Sequence, residues 1–165
     1  GFFTNDKEHQ LKVISYIRRY QPEIVLANAP RDRHPDHGKA CQLTIDSCFL
    51  SGLKMIKTTW KGKPQEAWRP KKIFHFVQSD YIEPDFVVDI SDVWEQKVKA
   101  IEAFETQFHV SDKGSEGDQT FISTPEFMDF IKSRARSWGQ SIGVKYAEGY
   151  IKHQAIGMAD LFDFV

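Results

Sequence analysis

Apolar residues along the chain recur in two rhythms. In NDKEHQLKVISYIRRYQPE, Leu11, Ile14 and Ile17 return at helical spacing, Asn5 or Asp6 can accept from the free N–H groups of a first turn, and Pro22 ends the run. Residues 23–29, EIVLANA, are instead almost continuously apolar between Pro22 and Pro30. That is the pattern of a parallel strand covered on both faces, and it predicts an internal strand. A polar loop follows, then an apolar helix from about Pro35 to Ser51. Helix, buried strand, polar loop, helix is the order of a parallel α/β sheet.

The remaining chain extends the alternation. Residues 52–70 form a polar, aromatic-studded connection without periodicity, longer than most loops and therefore a functional segment or an interface. KKIFHFVQ (71–78) and DFVVDI (85–90) read as strands. Residues 91–108 read as a helix capped by Ser91, with Trp94, Val98, Ile101 and Phe108 on one stripe. After a Gly/Ser/Asp loop at 109–120, Thr124 caps a last helix with Pro125 in its first turn and Phe127, Ile131 and Trp138 facing inward. The predicted fold class is α/β, Rossmann-like, with a mostly parallel sheet flanked by helices in a single domain over 1–165.

Composition narrows the function. A hydrophobic content of 41% in 165 residues supplies one core. The 22 basic and 23 acidic residues give a net charge of −1, with no basic stretch of the kind that neutralises phosphates, which argues against nucleic acid as a partner. No apolar run approaches the roughly 20 residues that cross a bilayer, and no signal-peptide pattern opens the chain, so no membrane partner is expected. Cys41 and Cys48 lie seven positions apart on the same predicted helix. That is about 10 Å along the axis, beyond the roughly 4.4–6.8 Å a disulfide spans, so both should be free thiols, as in a reducing cytoplasm.

The candidate chemistry sits in PRDRHPDHGKA, residues 30–40, at the strand-to-helix junction. In open α/β sheets ligands bind at this carboxyl edge. Pro35 biases His34 away from α geometry and starts the helix, which places His37 in the first turn. Neutral imidazole is a zinc ligand, and a neighbouring carboxylate orients a histidine. His75, alternating with Phe74 and Phe76, reads as an ordinary strand residue.

RHPDHGKA at the end of a buried strand resembles the second block of the LmbE-like/PIG-L zinc deacetylase superfamily. EPDFVVDIS (83–91), KVKAIEAFETQF (97–108) and GVKYAEGY (143–150) resemble its later blocks, in order. Within the superfamily the chain is most similar to the N-acetylglucosaminyl-malate deacetylases of bacillithiol biosynthesis. The resemblance implies a cytoplasmic Zn²⁺-dependent hydrolase of a small amino-sugar substrate, homo-oligomeric at full length. It makes His37 a metal ligand, His34 the histidine that stabilises charge at the tetrahedral intermediate, and Asp36 the carboxylate that orients His34. It places Tyr146 in the catalytic pocket, and Arg33 and Arg134 as basic positions that meet substrate.

The family's first block, an HxDD-like stretch that supplies two further zinc ligands and a general base, has no counterpart in the chain. The resemblance therefore implies the C-terminal two-thirds or so of a deacetylase, without its N-terminal strand-helix units, inactive as it stands and of doubtful zinc occupancy. Two other classes stay open: a non-catalytic sugar-binding or scaffold domain that has lost its metal block, and a zinc hydrolase of another amide or ester.

Overall fold

A computed structural model describes residues 1–104 and 124–164. Its contacts divide into two compact units, Gly1–Asp85 with Tyr150–Val165, and Phe86–Gly149. The inward-facing position expected of Phe108 and the loop expected at 109–120 lie outside the described residues.

The first unit carries α1 (Lys7–Tyr20), β1 (Ile24–Asn28), α2 (Pro35–Ser51), β2 (Thr59–Trp60), β3 (Lys63–Pro64), β4 (Lys72–Phe76) and the end of β6 (Ala147–Lys152). Asp6 caps α1 by accepting from the His9 N–H at 3.0 Å, and Gln21 closes it in the left-handed region at φ 48°. β1 and β4 pair in parallel, Ile24 opposite Lys72 and Asn28 opposite Phe76. On its other side β4 pairs antiparallel with β6, Phe76 opposite Tyr150. The sheet is therefore mixed. β6 is the strand that hydrophobic rhythm does not reveal, because Glu148, Gly149 and Lys152 interrupt it.

One face of the sheet is covered by α1 and α2. Ile17, Ala27, Cys48 and Ile73 form the core there, with Val13, Val25 and Trp68 packed around them. Each fully buried aliphatic side chain of this kind stabilises the fold by about 1.5–3 kcal/mol. The expectation of an internal β1 is not met: among the described residues β1 pairs only with β4. Ile24 and Leu26, on the face away from the helices, are each 54% exposed. The apolar run marks side chains made for burial, and the described residues cover only one face of the strand. An open strand edge beside exposed aliphatic side chains is a template for pairing with another chain. The chain should therefore self-associate with rising concentration in sedimentation velocity, and Ile24→Lys with Leu26→Lys should abolish this while shifting stability by no more than about 1 kcal/mol. A strictly monomeric parent chain would contradict this.

The 52–70 connection is ordered by one side chain. Arg18, 4% exposed, reaches out of α1 and donates to the carbonyls of Ser51, Leu53 and Ile56 at 3.0, 2.9 and 2.7 Å and to the Thr58 hydroxyl at 2.9 Å. Ser51 O is the last carbonyl of α2, so the guanidinium caps that helix and fastens the segment beyond it. The segment then turns through the β2–β3 hairpin, whose tip needs positive φ at Lys61 (48°) and Gly62 (77°). That pair of left-handed residues is the tight turn that matches strand twist.

His75 is 1% exposed in β4, in agreement with its reading as a strand residue. Its Nδ1–H donates to Asn28 O at 2.8 Å; Cys41 Sγ lies 3.5 Å from the same nitrogen and the His153 ring 5.6 Å away. Burial pushes the His75 imidazole below its ordinary pKa, with the neighbouring His153 acting in the same sense against the Asn28 hydrogen bond. The unfolded chain takes up that proton near pH 6.5 while the folded one resists it. Unfolding free energy should therefore fall as pH drops below about 6.5, and His75→Gln should flatten that slope in urea titrations at about pH 7.5 and 5.5. An unchanged slope in the variant would remove His75 as its source. Cys41 and Cys48 are both free and buried, and burial pushes the Cys48 thiol up to about 11.

The second unit holds β5 (Phe86–Asp89), α3 (Trp94–Glu102), α4 (Pro125–Ser141) and the start of β6. Ile90, Trp94, Phe127, Ile131, Ala135 and Tyr146 form its core. Ser91 does not cap α3 as expected. It opens a 3-10 turn (Ser91–Val93), donates to Asp89 Oδ1 at 2.6 Å and accepts from the Tyr146 N–H at 3.1 Å.

Candidate functional site

The loop between β1 and α2 is built by local geometry. His34 is extended (φ −87°, ψ 126°) ahead of Pro35, which occupies the first turn of α2. His34 thereby becomes the N-cap, its Nδ1 accepting from the Asp36 N–H at 3.2 Å. With Nδ1 accepting, the ring proton sits on Nε2, and the half-exposed side chain presents an N–H donor. The Asp36 carboxylate stands 4.0 Å from His34 Nδ1, at the limit of an ion pair, and also meets Lys39 at 3.7 Å and the Gly1 amino group. The direct contact that sets the His34 ring is thus the Asp36 backbone N–H.

The residue that organises the loop is Asp32, which sequence reasoning missed. Its side chain is 1% exposed. Oδ1 accepts from the N–H groups of Arg33 and Asp80 at 2.8 and 2.9 Å; Oδ2 meets His37 Nδ1 at 2.6 Å and the Ser79 N–H at 3.4 Å. Burial alone would raise the Asp32 carboxyl, but these hydrogen bonds outweigh it and hold its pKa below the ordinary value. An ionised carboxylate only accepts, so the shared proton belongs to His37 Nδ1, and His37 Nε2 carries a free lone pair. Asp32 also ties the β1 exit to the β4 exit, a link reinforced by Asn28 Nδ2 donating to Gln78 Oε1 at 2.7 Å. The one hint at the level of sequence is a second acid in a loop already rich in charge; its burial depends on the β4 exit, far away in the chain.

His34 and His37 come together, their ring centroids 5.5 Å apart, with Arg33 on the same loop. Tyr146 and Arg134 belong to the second unit. Tyr146, 5% exposed, stacks on Trp94 at 4.3 Å, and Arg134 lies over the rings of Phe130 and Trp138 at 5.0 and 5.2 Å.

The donor set suits zinc at one position. A histidine whose Nδ1–H is held by a carboxylate, leaving Nε2 bare, is the usual form of a metal-ligating imidazole. A catalytic zinc takes three protein ligands, and among the described residues no group of three His, Cys, Asp or Glu side chains could hold a metal ion.

No protein-family model matches the chain. It is 27% identical over 147 residues to the diacetylchitobiose deacetylase of Thermococcus kodakarensis, a match covering 87% of this chain and 49% of that protein. The chain thus spans about half the length of this curated relative. Among solved structures, the conserved protein TT1542 from Thermus thermophilus superposes with a TM-score of 0.77 at 27% identity, over 98% of this chain and 67% of that one. The N,N'-diacetylchitobiose deacetylase of Pyrococcus horikoshii (TM-score 0.67, 23% identity, 98% and 57% covered) shares the fold. So does GalB, the 4-carboxy-2-hydroxymuconate hydratase of Pseudomonas putida (0.69, 19%, 94% and 62%), which shows that the fold by itself does not select the reaction.

Proposed function

Because the chain belongs to the LmbE-like/PIG-L superfamily, we propose that it carries part of the active site of a zinc-dependent deacetylase acting on an N-acetylglucosamine conjugate. The observation that carries this reading is the Asp32–His37 pair at the sheet's carboxyl edge, with His34 beside it. His37 Nε2 is the metal ligand, and Asp32 holds its tautomer. Bound zinc supplies a Lewis acid to the amide carbonyl and the acidity that makes water a nucleophile at neutral pH. His34 Nε2–H donates to the oxygen that gains charge as the amide is attacked, an interaction stronger in the transition state than in the ground state. Arg33, on the same loop, meets the polar groups of the substrate. Acetate and a free amino sugar are the products.

The finer reading is N-acetylglucosaminyl-malate as substrate, in a cytoplasmic homo-oligomer. Its support is the run of later blocks, EPDFVVDIS, KVKAIEAFETQF and GVKYAEGY, and two buried free thiols. The two named deacetylases act on diacetylchitobiose, which presents the same N-acetyl group on a second sugar in place of malate. Acetate release by the full-length gene product from both substrates tests the proposal. We expect turnover of both, with the malate conjugate preferred at least about tenfold, the discrimination of one well-placed polar contact. No acetate from either would end the deacetylase reading; a preference for diacetylchitobiose would end the malate one. The 165-residue chain alone should retain well under one zinc per mole after dialysis; about one tightly held zinc would demand a different ligand set.

A further inference from the structure

We infer that the β2–β3 hairpin and the end of α1 form a second ligand site, for a sugar ring bearing a phosphate or carboxylate. Arg18 commits a buried guanidinium to holding the 52–70 segment. Gln65 holds it again, its N–H donating to Thr58 O at 3.1 Å and its Nε2 to Ser15 O at 2.9 Å. The product of this anchoring is a groove of about 360 Å³ between hairpin and helix, within the roughly 300–1,000 Å³ range of small-molecule sites.

Its lining is specific. Trp60 provides an aromatic side, braced edge-to-face on Tyr16 at 5.1 Å, which itself stacks on Tyr20 at 6.4 Å. Arg19 and Lys63 bring two cationic groups, neither of which is in an ion pair among the described residues. Glu66 adds an acceptor to the lining. An aromatic face suits the apolar face of a pyranose, the Glu66 carboxylate can accept from its hydroxyls, and two cations suit an attached anion. The groove lies at the start of β1 and the histidine loop at its end, five residues and about 16 Å away. The two sites are therefore separate, and this one binds independently of deacetylation.

Calorimetric titration of the chain with N-acetylglucosamine 6-phosphate tests the assignment, with neutral N-acetylglucosamine and inorganic phosphate as comparison probes. We expect one site, with each comparison probe at least about tenfold weaker. Trp60→Ala, and separately Arg19→Glu with Lys63→Glu, should each weaken binding at least about tenfold, while Trp60→Tyr and His37→Ala stay within about twofold of the parent. If Trp60→Ala fails to fold by circular dichroism, the charge-reversal pair decides. Absence of binding at millimolar ligand overturns the proposal, as does binding insensitive to the groove variants. Loss of binding in His37→Ala would place the ligand at the histidine loop and overturn it too. Inorganic phosphate binding as tightly as the sugar phosphate would reduce the groove to a cationic surface.

Discussion

His37→Ala in the full-length gene product will lose its zinc and fall to background deacetylation, with partial recovery in excess zinc. The proposed metal donor of the histidine loop is the lone pair on His37 Nε2, and among the described residues no group of three His, Cys, Asp or Glu side chains could hold the ion without it. Asp32→Asn should act on the same property more gently. With its oxygen on the Arg33 and Asp80 N–H groups, the amide turns its NH2 toward His37 Nδ1, which favours the Nε2–H tautomer and takes the lone pair off Nε2, so zinc affinity should drop at least about 10–100-fold. His34→Ala should keep its zinc and lower kcat by about 10²–10³ with little change in KM, the cost of removing one oxyanion donor. Asp36→Asn should be the mildest of the four, because its backbone N–H still meets His34. Zinc content and kcat, measured side by side, discriminate the roles. Metal loss in His34→Ala with retention in His37→Ala would exchange them, and four near-normal enzymes would remove this loop from the active site.

Arg18→Met should be the most damaging change outside the site, costing about 1–3 kcal/mol in urea unfolding for each buried acceptor left bare. Three carbonyls and a hydroxyl lose a donor at once; Ser51 O and Leu53 O keep the Trp68 and Ile56 N–H groups, while Ile56 O is left bare. With domain stabilities of about 5–15 kcal/mol, that is a large share of the total. Arg18→Lys should recover little. A single ammonium cannot reach Ser51, Leu53 and Ile56 together, whereas a planar fork can. A loss below about 1 kcal/mol for Arg18→Met would mean that the carbonyls find other donors.

Neither Arg18 nor Asp32 is legible in the sequence, and the reason is common to both. Hydrophobic rhythm reports which face of a local element is buried, and it locates α1, β1, α2 and β4 well; α2 begins at Pro35 and ends at Ser51, as its pattern predicts. Arg18 and Asp32 look like surface charges because their partners are distant in the chain: Ile56 O is 38 residues from Arg18, and the Asp80 N–H is 48 from Asp32. The short hairpin strands escape for a similar reason, since two residues each carry no period. His34 and His37 are legible because Pro35 makes their geometry local. The Asp36 carboxylate, to which the resemblance gives the orienting of His34, stands 4.0 Å from its Nδ1, and the Asp36 backbone N–H adds a hydrogen bond at 3.2 Å.

The discontinuity of the first unit sets an order of events during synthesis. β4 receives its antiparallel partner only when Tyr150–Lys152 arrive, so His75 waits for Ile151, 76 positions later (151 − 75). At roughly 5–20 residues per second, a ribosome leaves that edge of β4 open for about 4–15 s. Throughout that interval the nascent chain displays Phe74 and Phe76 on a strand with an unfilled edge. Chaperone capture in those seconds, more than the final stability of the fold, would then govern how much of this protein a cell recovers.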